Sequence, residues 1–197
     1  MSEFPQLYLI RHGETAWSIT GQHTSHTDLA LTGRGEDEVR RLAPTLSRVA
    51  FSRVLTSPLL RARRTCELAL PAGHSAVETA LKEWDYGDYE GRRTLDIRRE
   101  RADWTVWRDG CPNGESAAAV TSRADALIAK LRTLTGNIAL FSHGQFGTAL
   151  AMRWIGLQVI HGEHFPLLPA SFSILGRKPG DSDIGTLSLW NFTPADS

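Results

Sequence analysis

Two periods of apolar residues alternate along the chain. Residues 7–10, 54–56 and 138–141 are short, largely apolar runs, which read as strands buried on both faces. Longer stretches follow them with apolar residues every three or four positions. Residues 33–48 carry Val39, Leu42 and Leu46 at helical spacing, with Thr32 as the N-cap. Residues 58–70 follow Ser57-Pro58, a cap and then the residue suited to the first helical position. Residues 115–134 place Val120, Ala124, Leu127, Leu131 and Leu134 on one face, and residues 145–156 form a helix behind the third strand. Strand and helix in alternation predict an α/β fold, a three-layer α/β/α sandwich around a mostly parallel sheet. Residues 171–175 and 186–190 read as an edge hairpin turning through Pro179-Gly180-Asp181. No repeat or linker interrupts the chain, so residues 1–197 form one domain. About residues 82–113 have little regular pattern and are expected as an excursion over the strand ends, where α/β proteins place ligands.

Composition narrows the function. Lys plus Arg and Asp plus Glu both total 22, so the net charge is zero. A nucleic-acid or membrane-surface partner calls for a basic excess and is not expected. No apolar run approaches the ~20 residues of a bilayer span, and the N-terminus lacks the basic region of a signal peptide. Cys66 and Cys111 form no CxxC pair and read as reduced thiols of a cytoplasmic protein. Neither GxGxxG nor a P-loop is present.

Candidate chemistry lies at two strand ends. Arg11-His12-Gly13-Glu14 follows one apolar run and Ser142-His143-Gly144 follows another. Two strand-end histidines, each before a glycine, imply two imidazoles facing one crevice where backbone approaches a ligand closely. A metal is not expected: zinc wants three or four ligands, whereas cations beside these imidazoles repel a metal and attract an oxyanion. Arg61 sits near the start of its helix, where a cation opposes the dipole unless an anion binds there too. Arg63 and Arg64 read as a solvated face. Glu83, Asp85, Asp88 and Glu90 lie among Trp84, Tyr86 and Tyr89. Aromatic surroundings raise a carboxyl pKa toward what a general acid needs, and spacing leaves all four acids open.

The strand before RHGET, then SPLLRARRT, EWDYGDYEG and SHG, in this order, resemble the histidine phosphatase superfamily of phosphoglycerate mutases and acid phosphatases. The resemblance runs from about residue 7 to residue 150. TAWSITGQHTSHTDLALTGRG and WRDGCPNGES narrow it to a subgroup with actinobacterial acid phosphatases and the fungal sedoheptulose bisphosphatase. It implies a phosphoglycerate mutase-like fold, with His12 as nucleophile, Arg11, Arg61 and a protonated His143 binding the phosphoryl group, and Glu83 as proton donor. Ser18, Gln22, His23, Thr24 and Tyr86 match positions lining the substrate side. Ser18 stands where many members have Asn, and Ser25 where many have a Gly approached by substrate. No metal and no cofactor are implied. The expected partner is a small phosphorylated metabolite such as a sugar phosphate, and a homodimer is compatible with the chain. The main alternative is a phosphoglycerate mutase, which resembles the chain in its catalytic residues but is typically longer. Its basic insertion has no recognisable counterpart between Glu83 and Asn113. A catalytically inactive phospho-ligand-binding module would have lost the nucleophile or the acid, and both are present.

Overall fold

The computed structural model describes residues 4–71 and 73–194. In chain order its elements are β1 (Gln6–Arg11), α1 (Ala16–Thr20), α2 (Gly33–Arg40), α3 (Ala43–Leu46), β2 (Phe51–Thr56), α4 (Leu60–Ala69), β3 (Ala76–Val77), α5 (Thr94–Arg98), α6 (Val106–Asp109), α7 (Ala117–Leu131), β4 (Asn137–Ser142), α8 (Gly144–Trp154), β5 (Phe172–Lys178) and β6 (Asp181–Phe192). The strands form one sheet in the order β3-β2-β4-β1-β5-β6. β1, β2, β3 and β4 pair in parallel, while the β5–β6 hairpin joins antiparallel at the β1 side.

Alternate side chains of a strand point to opposite faces, and the core divides accordingly. Leu7, Leu9, Ile138 and Leu140 pack with Val120, Leu127 and Leu131 of α7 and Phe146 and Leu150 of α8. Tyr8, Ile10, Ala139 and Phe141 pack with Val39 of α2, Leu46 of α3 and Cys66 of α4. Helices therefore cover both faces, giving the three layers. Cys66 and Cys111 are buried and unbonded to each other. Among the described residues no helix is long and apolar enough to cross a membrane.

Three local expectations are corrected. The helix expected over residues 33–48 is split into α2 and α3, because Pro44 has no N–H to continue the ladder. Ser57 does not cap α4. That helix starts at Leu60, whose N–H donates to Asp28 Oδ1 at 2.7 Å, so the cap comes from a distant loop. The stretch over residues 82–113 is more regular than its sequence suggests. It contains α5 and α6, the latter capped by Thr105, and it buries Trp84 and Trp104.

Candidate active site

Three neighbouring strand ends bring the polar residues together. Arg11 lies level with Ser142 across β1 and β4, so the next residues, His12 and His143, emerge side by side. The His12 N–H donates to Ser142 O at 3.1 Å, and on the other flank of β4 the Ser57 N–H donates to Phe141 O at 2.9 Å. The two imidazole centroids are 5.2 Å apart, and both rings are buried.

Hydrogen bonds determine the tautomers. His12 Nδ1 lies 2.8 Å from Gly13 O. A carbonyl only accepts, so Nδ1 carries the proton and Nε2 keeps its lone pair. Burial, with Arg61 and Arg11 adding repulsion, holds His12 well below the ordinary imidazole range. His143 Nε2 meets Ser57 Oγ at 2.8 Å. Burial, then Arg61, His12 and Arg11, also hold His143 well below that range. In the free protein burial first, and the neighbouring positive charges after it, thus disfavour the protonated form of His143 that the resemblance implies for phosphoryl binding. Ser57 Oγ accepts the Leu59 N–H at 3.4 Å and can turn its hydroxyl hydrogen to His143 Nε2. In that arrangement the ring proton sits on Nδ1, and a neutral His143 offers a donor there.

Arg61 is fully buried. Its Nη1 donates to Thr27 O at 3.1 Å, and its Nη2 to Thr24 O at 3.1 Å and Ser25 O at 3.3 Å. Arg11 is half-buried and its Nη1 donates to Leu167 O. Burial lowers both guanidinium pKa values, opposed chiefly by Glu83. Arg11 Nε, Arg61 Nε and His143 Nδ1 are buried and make no hydrogen bond within the protein. Packing inside the protein requires the glycines after the histidines. A Cβ on Gly13 would meet Gly35 O at 2.7 Å, and one on Gly144 would meet Arg11 Cζ at 3.2 Å.

Of the four candidate acids, Glu83 alone lines the cavity at these strand ends. Its oxygens accept from the amides of Trp84 at 2.8 Å, Gln145 at 3.1 Å and Phe146 at 2.7 Å. Backbone amides, two of them from the first turn of α8, thus hold the Glu83 carboxyl group in place. The Trp84 indole instead donates to Glu115 O and packs on Trp107. Asp85 pairs with His26, Asp88 accepts from Asn113, and Glu90 binds the loop at Ser25 and Thr27.

The cavity has a volume of about 180 Å³ and is lined by Arg11, His12, Glu83 and all five expected substrate-side residues. Four of those five spend side-chain polar atoms on the protein, His23 Nε2 meeting Thr94 Oγ1 at 3.2 Å. The Ser18 hydroxyl completes the capping box of α1, Gln22 Nε2 donates to Gly91 O, and Thr24 Oγ1 donates to Gln22 O. His23 stacks 4.5 Å from Tyr86, and burial, partly offset by Glu90, pushes it down to about 4. Tyr86 is pushed well above its usual value, by burial first and then Glu83. Ser25 does not line the cavity. Thr15, Thr94 and Gln145 do and were not anticipated. Thr15 follows RHGE and Gln145 follows SHG, so their neighbours held a signal, whereas Thr94 had none. A second cavity of about 500 Å³ shares His23, Thr94 and Gln145 with the first. Among the described residues no group of three or more His, Cys, Asp or Glu side chains is arranged to hold a metal.

A neutral imidazole with a free nitrogen, surrounded by unpaired donors and one carboxyl group, is equipped for transfer of an oxyanionic group. The comparisons identify the class: the chain belongs to the histidine phosphatase superfamily (branch 1), whose family model matches residues 7–192, and it is a phosphatase of that superfamily. Among its relatives is an acid phosphatase of Mycobacterium tuberculosis, 40% identical over 190 residues, covering 93% of this chain and 92% of the relative. Another is the sedoheptulose 1,7-bisphosphatase of Saccharomyces cerevisiae, 35% identical over 187 residues, covering 79% and 69%. A solved structure of an open reading frame from Mycobacterium tuberculosis superposes with a TM-score of 0.88 at 37% identity, covering 95% of this chain and 97% of that one.

Proposed function

We propose that the protein hydrolyses small phosphate monoesters, sugar phosphates or similar metabolites, without a metal and through a phosphohistidine on His12. One observation carries this reading: Arg11 Nε, Arg61 Nε and His143 Nδ1 are buried without hydrogen-bond partners in the protein, on residues whose charges or ring act on the His12 imidazole, and its Nε2 is free to attack. A buried donor left unpaired costs about 1–3 kcal/mol. A phosphoryl group brings three equatorial oxygens to such donors, and its loose transition state spreads charge over all three. Two guanidinium charges about 4 Å away are each worth on the order of 4 kcal/mol at an effective dielectric near 20.

His12 Nε2 attacks phosphorus in line as the bond to the ester oxygen breaks, and Glu83 gives its proton to that oxygen. Glu83, now a carboxylate, takes a proton from the water that attacks the phosphohistidine, which frees His12 and releases phosphate. The cavity of about 180 Å³ lies below the ~300–1,000 Å³ of drug-sized sites, which favours a small substrate, and the adjoining cavity leaves room for a longer leaving group. The names of the acid phosphatase and sugar bisphosphatase relatives support the same class.

Rapid quench with a labelled sugar phosphate tests the reading. An acid-labile, base-stable phosphoenzyme should form and be lost in His12→Ala, and EDTA should leave turnover unchanged. Turnover in His12→Ala above about a thousandth of wild type would reject it. Phosphoryl transfer between hydroxyls of a primed phosphoglycerate, in place of phosphate release, would assign the mutase reading instead.

A further inference from the structure

Glu90 was one of four acids the sequence left open, and it lies outside the catalytic cavity. Its carboxylate nevertheless accepts four hydrogen bonds from three donors: the Ser25 N–H at 2.8 Å to one oxygen and 3.0 Å to the other, the Ser25 hydroxyl at 2.6 Å, and the Thr27 N–H at 3.0 Å. The carbonyls of the same short loop, Thr24, Ser25 and Thr27, accept from Arg61. The peptide group joining Thr24 to Ser25 thus has its N–H on Glu90 and its C=O on Arg61. In a trans peptide these point in opposite directions, so carboxylate and guanidinium grip one peptide dipole from its two ends. Ser25 Oγ also accepts the Tyr86 N–H at 3.3 Å, tying this arrangement to a wall of the cavity.

We infer that Glu90 is a positioning residue for Arg61, acting through residues 24–27 to aim the guanidinium Nε at the phosphoryl group. A carboxylate suits the task because it only accepts, with room for several donors on two oxygens. A glutamine would turn an NH2 group toward amides that also donate. The Ser25 hydroxyl, bonded to Glu90 and to the Tyr86 N–H, becomes part of the support for Arg61. Burial raises the Glu90 carboxyl, and its bonds to Ser25 and Thr27 together outweigh it and hold the group below its ordinary value, so the charge is present at neutral pH. The inference rests on the proposed role of Arg61 in binding the phosphoryl group.

The test is a double-mutant cycle read by kcat/KM with p-nitrophenyl phosphate and by the inhibition constant of inorganic phosphate. Glu90→Gln should weaken phosphate inhibition and lower kcat/KM by roughly 10- to 100-fold, the effect of a misplaced group near the chemistry. In an Arg61→Ala background the same change should cost less than about twofold, because coupled residues do not add. Ser25→Ala, which removes one bond to Glu90, should raise the phosphate inhibition constant by roughly 2- to 10-fold. Full additivity of Glu90→Gln with Arg61→Ala would overturn the inference, as would a lower Tm with unchanged phosphate inhibition. If Glu90→Gln does not fold, Ser25→Ala decides: unchanged phosphate inhibition in that variant overturns it. Wild-type kcat/KM in Arg61→Ala alone would sink the role of Arg61 itself, and a crippled Arg61→Ala with additive Glu90→Gln would sink this inference only.

Discussion

Two groups of arginines in this chain occupy contrasting settings. On the segment running through α5 and α6, Arg92 pairs with Glu100, Arg93 and Arg99 with Asp96, and Arg101 and Arg108 with Asp109. At the strand ends, Arg11 and Arg61 are bound by carbonyls, and neither has an ion-pair partner among the described residues. A carboxylate partner cancels a guanidinium charge, whereas carbonyls fix its position and leave the charge for a ligand. A protein with no net charge can therefore bind an anion tightly. The same guanidinium charges add to burial in disfavouring the protonated forms of the neighbouring imidazoles.

The largest expected contrast is in activity. Arg61→Ala or Arg11→Ala should lower kcat/KM by roughly 10²–10³-fold, as when a preorganised donor to developing charge is removed, and a loss under about tenfold in steady-state assays would collapse the distinction. Glu83→Gln sharpens it from the acid side. Hydrolysis of a sugar phosphate should fall about 100-fold or more, and that of p-nitrophenyl phosphate far less, because nitrophenolate leaves with little protonation. Equal losses on both substrates would move the proton donor elsewhere.

A third consequence is seen in stability against pH. His12, His23 and His143 all have folded-state pKa values below the ordinary ~6.5 of imidazole. The unfolded chain therefore takes up protons that the folded chain refuses. Stability is fully present above pH ~6.5 and falls as pH drops below it, for His23 down to about 4. Urea titrations between about pH 7 and 4 should show this slope, reduced in Arg61→Ala. A pH-independent midpoint would show that the imidazoles are not held neutral. The smallest effect belongs to the paired arginines. Arg92→Ala or Arg93→Ala should change kcat/KM by less than about twofold and Tm by no more than about 2 °C. A catalytic loss comparable to that of Arg61→Ala would erase the comparison.

What the sequence determined by itself was whatever depends on neighbours along the chain. Apolar runs ending in Arg11-His12 and Ser142-His143 located two strand ends, the alternation of periods implied a parallel sheet between helices, and Thr32 stood at a real helix start. Local reading failed where the partner comes from afar. Ser57 has the composition of a cap, yet its hydroxyl is taken by His143, 86 positions away, and the capping role passes to Asp28. Glu83 could not be separated from Asp85, Asp88 and Glu90 by spacing, since all four share one stretch of sequence. Only the docking of α8 brings the Gln145 and Phe146 amides to Glu83 and leaves Glu90 to the loop that holds Arg61. Helix and strand patterning acts over a few residues, so composition and period encode it. The charge state of an imidazole, the aim of a guanidinium and the choice among carboxylates depend on burial and on donors that meet only when the sheet closes.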